Sequence, residues 1–262
     1  MELYDSTESV KLFLRRPLGL VYLYEGKDLL AEPLFLKVLE VRQRVLGREH
    51  PNTLRSMNNL GLSYLDQGKY TKAEPLFNEA FSVQRRVLGA EHPDTLTYSS
   101  NLALLYLRQT RYALAEALFL KILDARRRLL GPEHPATANV LASLANVRLR
   151  QHRYAQAEPL LRGALGIQEK KNPDSWEQFN SRSMLGHSLA GQEKYAEAEP
   201  LLLSGYEGLL RRKATIPSYN RVAVEEAGER IVQLYQHWNK PEKAVAWREK
   251  LRASLASAPL QP

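Results

Sequence analysis

A ten-residue block, Val45-Leu46-Gly47-Arg48-Glu49-His50-Pro51-Asn52-Thr53-Leu54, returns 42 residues later as Val87-Leu88-Gly89-Ala90-Glu91-His92-Pro93-Asp94-Thr95-Leu96, with eight of ten positions identical. A third copy, Leu129-Leu130-Gly131-Pro132-Glu133-His134-Pro135-Ala136-Thr137, keeps the spacing. Two more markers hold the register. Gly26-Lys27, Gly68-Lys69-Tyr70, Thr110-Arg111-Tyr112, His152-Arg153-Tyr154 and Glu193-Lys194-Tyr195 follow one another at steps of 42, 42, 42 and 41. Shortly after each comes Ala31-Glu32-Pro33, Ala73-Glu74-Pro75, Ala115-Glu116-Ala117, Ala157-Glu158-Pro159 or Ala198-Glu199-Pro200. A fixed period of this size means one small supersecondary unit per period. Such a unit cannot bury its apolar face alone, so neighbours must stack.

Each repeat reads as two helices. Met57, Leu60, Gly61 and Tyr64 fall at i, i+3, i+4 and i+7, one helical face. Gln67-Gly68-Lys69 is the turn, where Gly supplies a positive φ. Tyr70, Ala73, Phe77, Ala80 and Val83 form the stripe of a second helix. Leu88-Gly89 ends it, and Pro93 opens the next helix, because a proline at the first helical position forfeits an N–H that has no partner there anyway. The Ala-Glu-Pro prolines fall early in the second helices, where they cost little. Small residues recur at facing positions: Gly19, Gly61, Ala103, Ala145 and Gly186 on first helices, Ala31, Ala73, Ala115, Ala157 and Ala198 on second ones. They predict a close approach of the two axes in every pair.

Leu60-Gly61, Tyr64, Ala73, Phe77 and Ala80 resemble the tetratricopeptide-repeat signature. The 42-residue period, with Leu-Gly-x-Glu-His-Pro-x-Thr and Gln-Gly-Lys-Tyr-x-x-Ala-Glu-Pro-Leu, resembles its kinesin-light-chain type. The resemblance covers residues 17–210. It implies an all-α, right-handed superhelical solenoid of antiparallel helix pairs with a concave face for partners. Arg230-Ile231-Val232-Gln233-Leu234-Tyr235 begins a sixth, divergent pair, and Lys240-Pro241-Glu242-Lys243-Ala244 its second helix, ending near Leu255. Ala198 to Ala244 is 46 positions, so about four residues are inserted, most simply within 213–218. This segment resembles the C-terminal end of bacterial kinase-linked repeat proteins, although the chain has no glycine-rich phosphate loop and no His-Arg-Asp. The organisation expected is an N-terminal helix or arm at 1–16, a solenoid at 17–252 with repeats near 17–52, 53–94, 95–136, 137–172, 173–213 and 218–252, and a flexible tail at 253–262. Pro17 starts or kinks the first helix. Arg148 stands in the place of the fourth repeat's tyrosine, and Lys170-Lys171-Asn172-Pro173 lacks the usual closing motif.

Composition narrows the function. The 262 residues include no Cys, which excludes disulfide frameworks, thiolate nucleophiles and cysteine-based metal centres. Hydrophobic residues make 44% and charged ones 25%, as in an ordinary globular protein. Met1-Glu2-Leu3-Tyr4-Asp5 is acidic where a signal peptide is basic, and the apolar stretch near Leu12–Leu23 is broken by Arg15, Arg16 and Pro17. A cytoplasmic protein with no membrane span is expected. The net charge of +8 raises nucleic acid as a partner, but no aromatic stripe for base stacking accompanies it.

Three constellations bear on function. His50, His92 and His134 sit one per repeat, so they do not converge on a metal; local capping is the expected role. Arg42, Arg44, Arg85, Arg86, Arg126, Arg127 and Arg128 lie in the last turns of second helices, where cations complement the helix dipole. Through the resemblance, positions flanking the Leu-Gly pair face a groove: Arg55, Asn58, Asn59 and Leu62, then Asn101, Leu104 and Arg108, then Asn146 and Arg150, then His187. Asn is a poor residue for a helix interior, and its amide pairs readily with a peptide backbone. Asn59 and Asn101 share one repeat position, like the Asn ladders of peptide-binding tetratricopeptide domains. Arg55, Arg108 and Arg150 stand in for clamp lysines and favour an acidic partner. No catalytic motif, cofactor motif or metal motif occurs, so a non-enzymatic scaffold that binds a protein or peptide is the expectation. A docking part of a larger signalling protein is the alternative.

Overall fold

The computed structural model describes residues 19–22 and 27–256. Among these residues there are eleven α-helices and no strand: α1 (Asp28–Leu46), α2 (Pro51–Asp66), α3 (Tyr70–Leu88), α4 (Pro93–Arg108), α5 (Tyr112–Leu130), α6 (Pro135–Arg150), α7 (Tyr154–Lys171), α8 (Trp176–Ala190), α9 (Tyr195–Arg211), α10 (Val222–His237) and α11 (Pro241–Ala256). Residues 19–22 are also helical and precede α1. The expected all-α array of helix pairs is therefore present. The arm at 1–16, the break at Pro17 and the end of the tail beyond 256 lie outside the described residues. Two short 3-10 turns, Lys213–Thr215 and Ser218–Asn220, occupy the inserted stretch before α10.

The recurring loop motif is a helix-start device. The Nδ1 atoms of His50, His92 and His134 accept hydrogen bonds from the backbone N–H groups of Asn52, Asp94 and Ala136 at 3.1, 3.2 and 3.1 Å. Each satisfies one of the four N–H groups that an α-helix leaves open at its start. Proline follows as the first helical residue. Thr53 and Thr137 donate from Oγ1 to the carbonyls of Gly47 and Gly131 at 2.8 and 2.9 Å, tying the new helix to the end of the old one. The glycine at that end has φ of 86°, 90° and 88° in Gly47, Gly89 and Gly131. At the start of the fifth repeat, Ser175 takes over the cap, accepting at Oγ from the Gln178 N–H.

Close approach within each pair is real. A Cβ on Gly61 would fall 2.6 Å from Phe77 Cε1, and one on Gly186 would fall 2.7 Å from Leu202 Cγ. Both are below van der Waals contact, so glycine lets the aromatic or leucine of the second helix seat against the first. Pro33, Pro75, Pro159 and Pro200 lie inside α1, α3, α7 and α9, all on exposed positions.

The chain divides into two compact units. The described residues up to Leu118, with Pro217–Tyr219, form the first; Phe119–Ile216, with the described residues from Asn220 on, form the second. The core of the first is built on Phe35, Leu54, Met57, Leu60, Phe77 and Leu105. In the second, Leu144, Leu161, Met184, Leu189 and Leu202 are fully buried. No described helix is long and apolar enough to cross a membrane.

Candidate functional site

In the first unit, α2 and α4 are consecutive first helices, and they are linked by their asparagines. Asn101 Nδ2 donates to Asn58 Oδ1 at 2.7 Å. The in-register partner, Asn59, is not used. Asn58 is buried and Asn59 half-buried, so Asn58 is the residue on the more enclosed side of α2. Among the described residues Asn59 makes no side-chain hydrogen bond, which leaves its whole amide available. Leu62, expected to face a ligand, is 8% exposed and belongs to the core. Leu104 is half-buried and packs on the same core from its rim. Arg55 is exposed and donates to Asn52 Oδ1, one turn back on its own helix.

Arg108, at the end of α4, is half-buried and donates from Nη2 to the backbone carbonyl of Tyr219 at 3.2 Å. Tyr219 is 111 residues further along the chain, in the inserted stretch. Its ring packs against the first unit's core. An irregular segment of the protein's own chain is thus seated on this unit, with its backbone read by a first-helix arginine.

The second unit carries the remaining residues. Arg150 is bonded to Glu226, near the start of α10. Glu226 also accepts from Arg230 Nη2 at 3.0 Å, and Arg230 Nη1 donates to Ser183 Oγ at 3.2 Å. Arg230 is 7% exposed, so its charge is buried; burial lowers its pKa and the neighbouring Glu226 carboxylate acts in the opposite direction. A buried cation is tolerable only when it is paired and hydrogen-bonded, as here. His187, one turn beyond Ser183, stands edge-on to Tyr154 at 5.5 Å between ring centroids. Burial first, then the charges of Arg230 and Arg150, hold its pKa down to about 3, so the imidazole is neutral at physiological pH. Asn146 is half-buried and, like Asn59, makes no side-chain hydrogen bond among the described residues.

The basic second-helix ends have structural work. Arg42 Nη1 donates to the Asn52 carbonyl at 3.0 Å and to Ser56 Oγ at 2.7 Å; Arg126 Nη1 donates to the Ala136 carbonyl at 2.8 Å. These are the same contact two repeats apart, bracing α1 against α2 and α5 against α6. Among the described residues no group of His, Asp or Glu side chains could hold a metal ion.

The sequence reasoning missed the partner of the Ala-Glu-Pro glutamate. Glu32 accepts from Lys69 at 2.8 Å, Glu74 from Arg111 at 2.6 Å and Gln109 at 2.9 Å, Glu158 from Gln192 at 2.9 Å and Lys194 at 3.3 Å, and Glu199 from Tyr235 at 2.7 Å and Lys243 at 3.0 Å. Glu32, Glu74 and Glu158 join a second helix to the turn of the following repeat, and Glu199 joins α9 to α10 and α11. These hydrogen bonds hold all four carboxyls below the usual glutamate range. The signal was present: an acid in Ala-Glu-Pro recurs 36 or 37 residues before the cation of the next Gln-x-Lys/Arg turn in three of these pairs. Tyr219, Glu226 and Arg230 were also missed, and no repeat-based signal marks them.

The tetratricopeptide-repeat family model matches residues 12–86, 58–126 and 98–170, together more than half of the chain. No curated protein sequence matches it. Among solved structures, a Podosopora anserina kinesin light chain-type protein of nearly identical TPR-like repeats is 23% identical, with 77% of this chain and 96% of that chain covered and a TM-score of 0.62. The apo form of RapI is 14% identical, with 98% and 88% covered and a TM-score of 0.74. A Rap protein complexed with competence and sporulation factor is 11% identical, with 92% and 74% covered and a TM-score of 0.67. At these identities the likeness is one of fold.

Proposed function

Because the chain belongs to the tetratricopeptide-repeat family, a fold of protein-interaction scaffolds, we propose that it binds a peptide segment of a partner protein on the faces of its first helices and catalyses nothing. The observation that carries this reading is the bond from Arg108 to the Tyr219 carbonyl. A first-helix side chain already recognises the backbone of an irregular segment in this protein, so the same face has the chemistry to hold a partner's. Asn59 adds an amide with donor and acceptor both open, and Leu104 adds apolar surface at the rim of the core. In the second unit, Arg150 pairs with the carboxylate of Glu226, an internal instance of the acidic group that a partner would supply.

Affinity capture with chemical crosslinking tests the reading. Crosslinks from the partner should fall on a continuous peptide of about 10–15 residues and reach α2, α4 or α6. Crosslinks confined to α3, α5 and α7 would place the partner on the second helices and reject the proposal.

A further inference from the structure

We infer that Pro217–Tyr219 is an internal occupant of the first unit's binding face, and that the partner segment which replaces it presents an aromatic ring and a free backbone carbonyl on the same residue. This rests on the peptide-binding reading above and states what that site recognises.

Three observations carry it. First, the segment is surplus to the repeat. Successive Ala-Glu pairs step by 42, 42, 42 and 41 residues, and the interval of 46 from Ala198 to Ala244 arises where about four extra residues enter the connection between α9 and α10 that carries Pro217–Tyr219. Nothing in the pairing of α9 with α10 needs a residue seated in the first unit, yet Pro217–Tyr219 belongs to it. Second, the seat has the contacts of a bound peptide. The Tyr219 ring packs on the core from the rim, as Leu104 does, and its carbonyl accepts from Arg108 at 3.2 Å. Third, the segment fits imperfectly. Ser218 is 6% exposed and its Oγ is buried with no hydrogen-bond partner. Pro217 has no N–H to offer. A buried hydroxyl without a partner disfavours the seated state.

The test uses the full chain and, as probe, a fluorescein-labelled peptide with the sequence of residues 213–222. The unaltered chain should bind it weakly, because the internal copy holds the site. Tyr219→Ala should release the site and tighten binding at least tenfold. Adding Arg108→Gln should reverse that gain, and a probe with Ala in place of its tyrosine should not bind. Equal affinity for the unaltered chain and Tyr219→Ala, or a gain indifferent to Arg108→Gln, would overturn the inference. Should Tyr219→Ala lose its cooperative melting transition, hydrogen exchange on the unaltered chain decides instead. Excess probe should speed exchange of the amides at 218–221 several-fold, and unchanged rates overturn the inference. The two readings fail separately. A partner peptide that depends on Asn101 but binds the unaltered chain and Tyr219→Ala equally keeps the peptide-binding face and removes the occupant.

Discussion

Asn101 Nδ2 donates to Asn58 Oδ1 across 43 positions of the chain, joining consecutive first helices by a 2.7 Å side-chain bond. Both amides sit where a helix interior ordinarily disfavours asparagine. Their retention there is explained by mutual pairing.

Removing one partner should therefore cost more than removing both. Asn101→Ala leaves the buried Asn58 carbonyl oxygen unpaired, at about 1–2 kcal/mol. A double-mutant cycle with Asn58→Ala, read by urea denaturation, should give a coupling energy of about 0.5–1.5 kcal/mol. Strictly additive losses would show that the bond contributes nothing.

The histidine caps make a local prediction. His92→Ala removes the acceptor for the Asp94 N–H and should destabilise the chain by about 1 kcal/mol, while His92→Asn, which also accepts, should recover most of that. Equal melting temperatures for the two variants would remove the cap from the account.

Glycine positions divide into two kinds. Gly61→Ala drives a methyl to 2.6 Å from Phe77 and should cost about 1–3 kcal/mol. Gly166, in α7, has nothing within 4 Å of the same methyl, so Gly166→Ala should stabilise by about 0.5–1 kcal/mol. Thermal melts that move in the same direction for both would contradict the close approach at Gly61.

Acid should loosen the links between repeats. Glu32, Glu74, Glu158 and Glu199 have folded pKa values below the ordinary 4.5, so the unfolded chain takes up protons first. The stability they contribute is fully present above about pH 4.5 and drains as pH falls below it. Glu74→Gln keeps the hydrogen-bonding shape and loses the charge. It should be about 0.5–1 kcal/mol less stable than the unaltered chain at pH 7, and the gap should close towards pH 3. A gap constant from pH 7 to pH 3 would mean that the charge of Glu74 is irrelevant.

The elements that were legible in the sequence are those whose cause is local. His-Pro starts a helix, Gly at positive φ ends one, and the small residue at Gly61 marks a close approach, although the side chain that fills it is Phe77 and not the Ala73 position expected to face it; each signal needs one or two residues near in the chain, and the 42-residue period repeats the message. Even the non-glycine turns at Thr110, His152 and Glu193 follow, with φ of 60°, 57° and 63°, because the register demands what Gly68 does at 69°. Contacts between repeats were less legible. Asn101 bonds to Asn58 and not to the in-register Asn59, since which of two adjacent residues faces the neighbouring helix depends on the rotation of packed helices. Leu62 went to the core for the same reason. Tyr219 and Glu226 lie in or after an insertion, where the period no longer constrains position, and their partners Arg108 and Arg150 are 111 and 76 residues away.

The central claim is that the first-helix face of the first unit reads a partner's backbone. The most direct measurement is calorimetric affinity of an identified partner peptide for the unaltered chain, Asn59→Ala, Asn101→Ala, the double variant and Arg127→Ala on α5. The account predicts a loss of about 1–3 kcal/mol for each asparagine, a larger loss for the pair, and no change for Arg127→Ala. Weakened binding by Arg127→Ala, with both asparagine variants unaffected, would put the partner on the second helices and contradict the account.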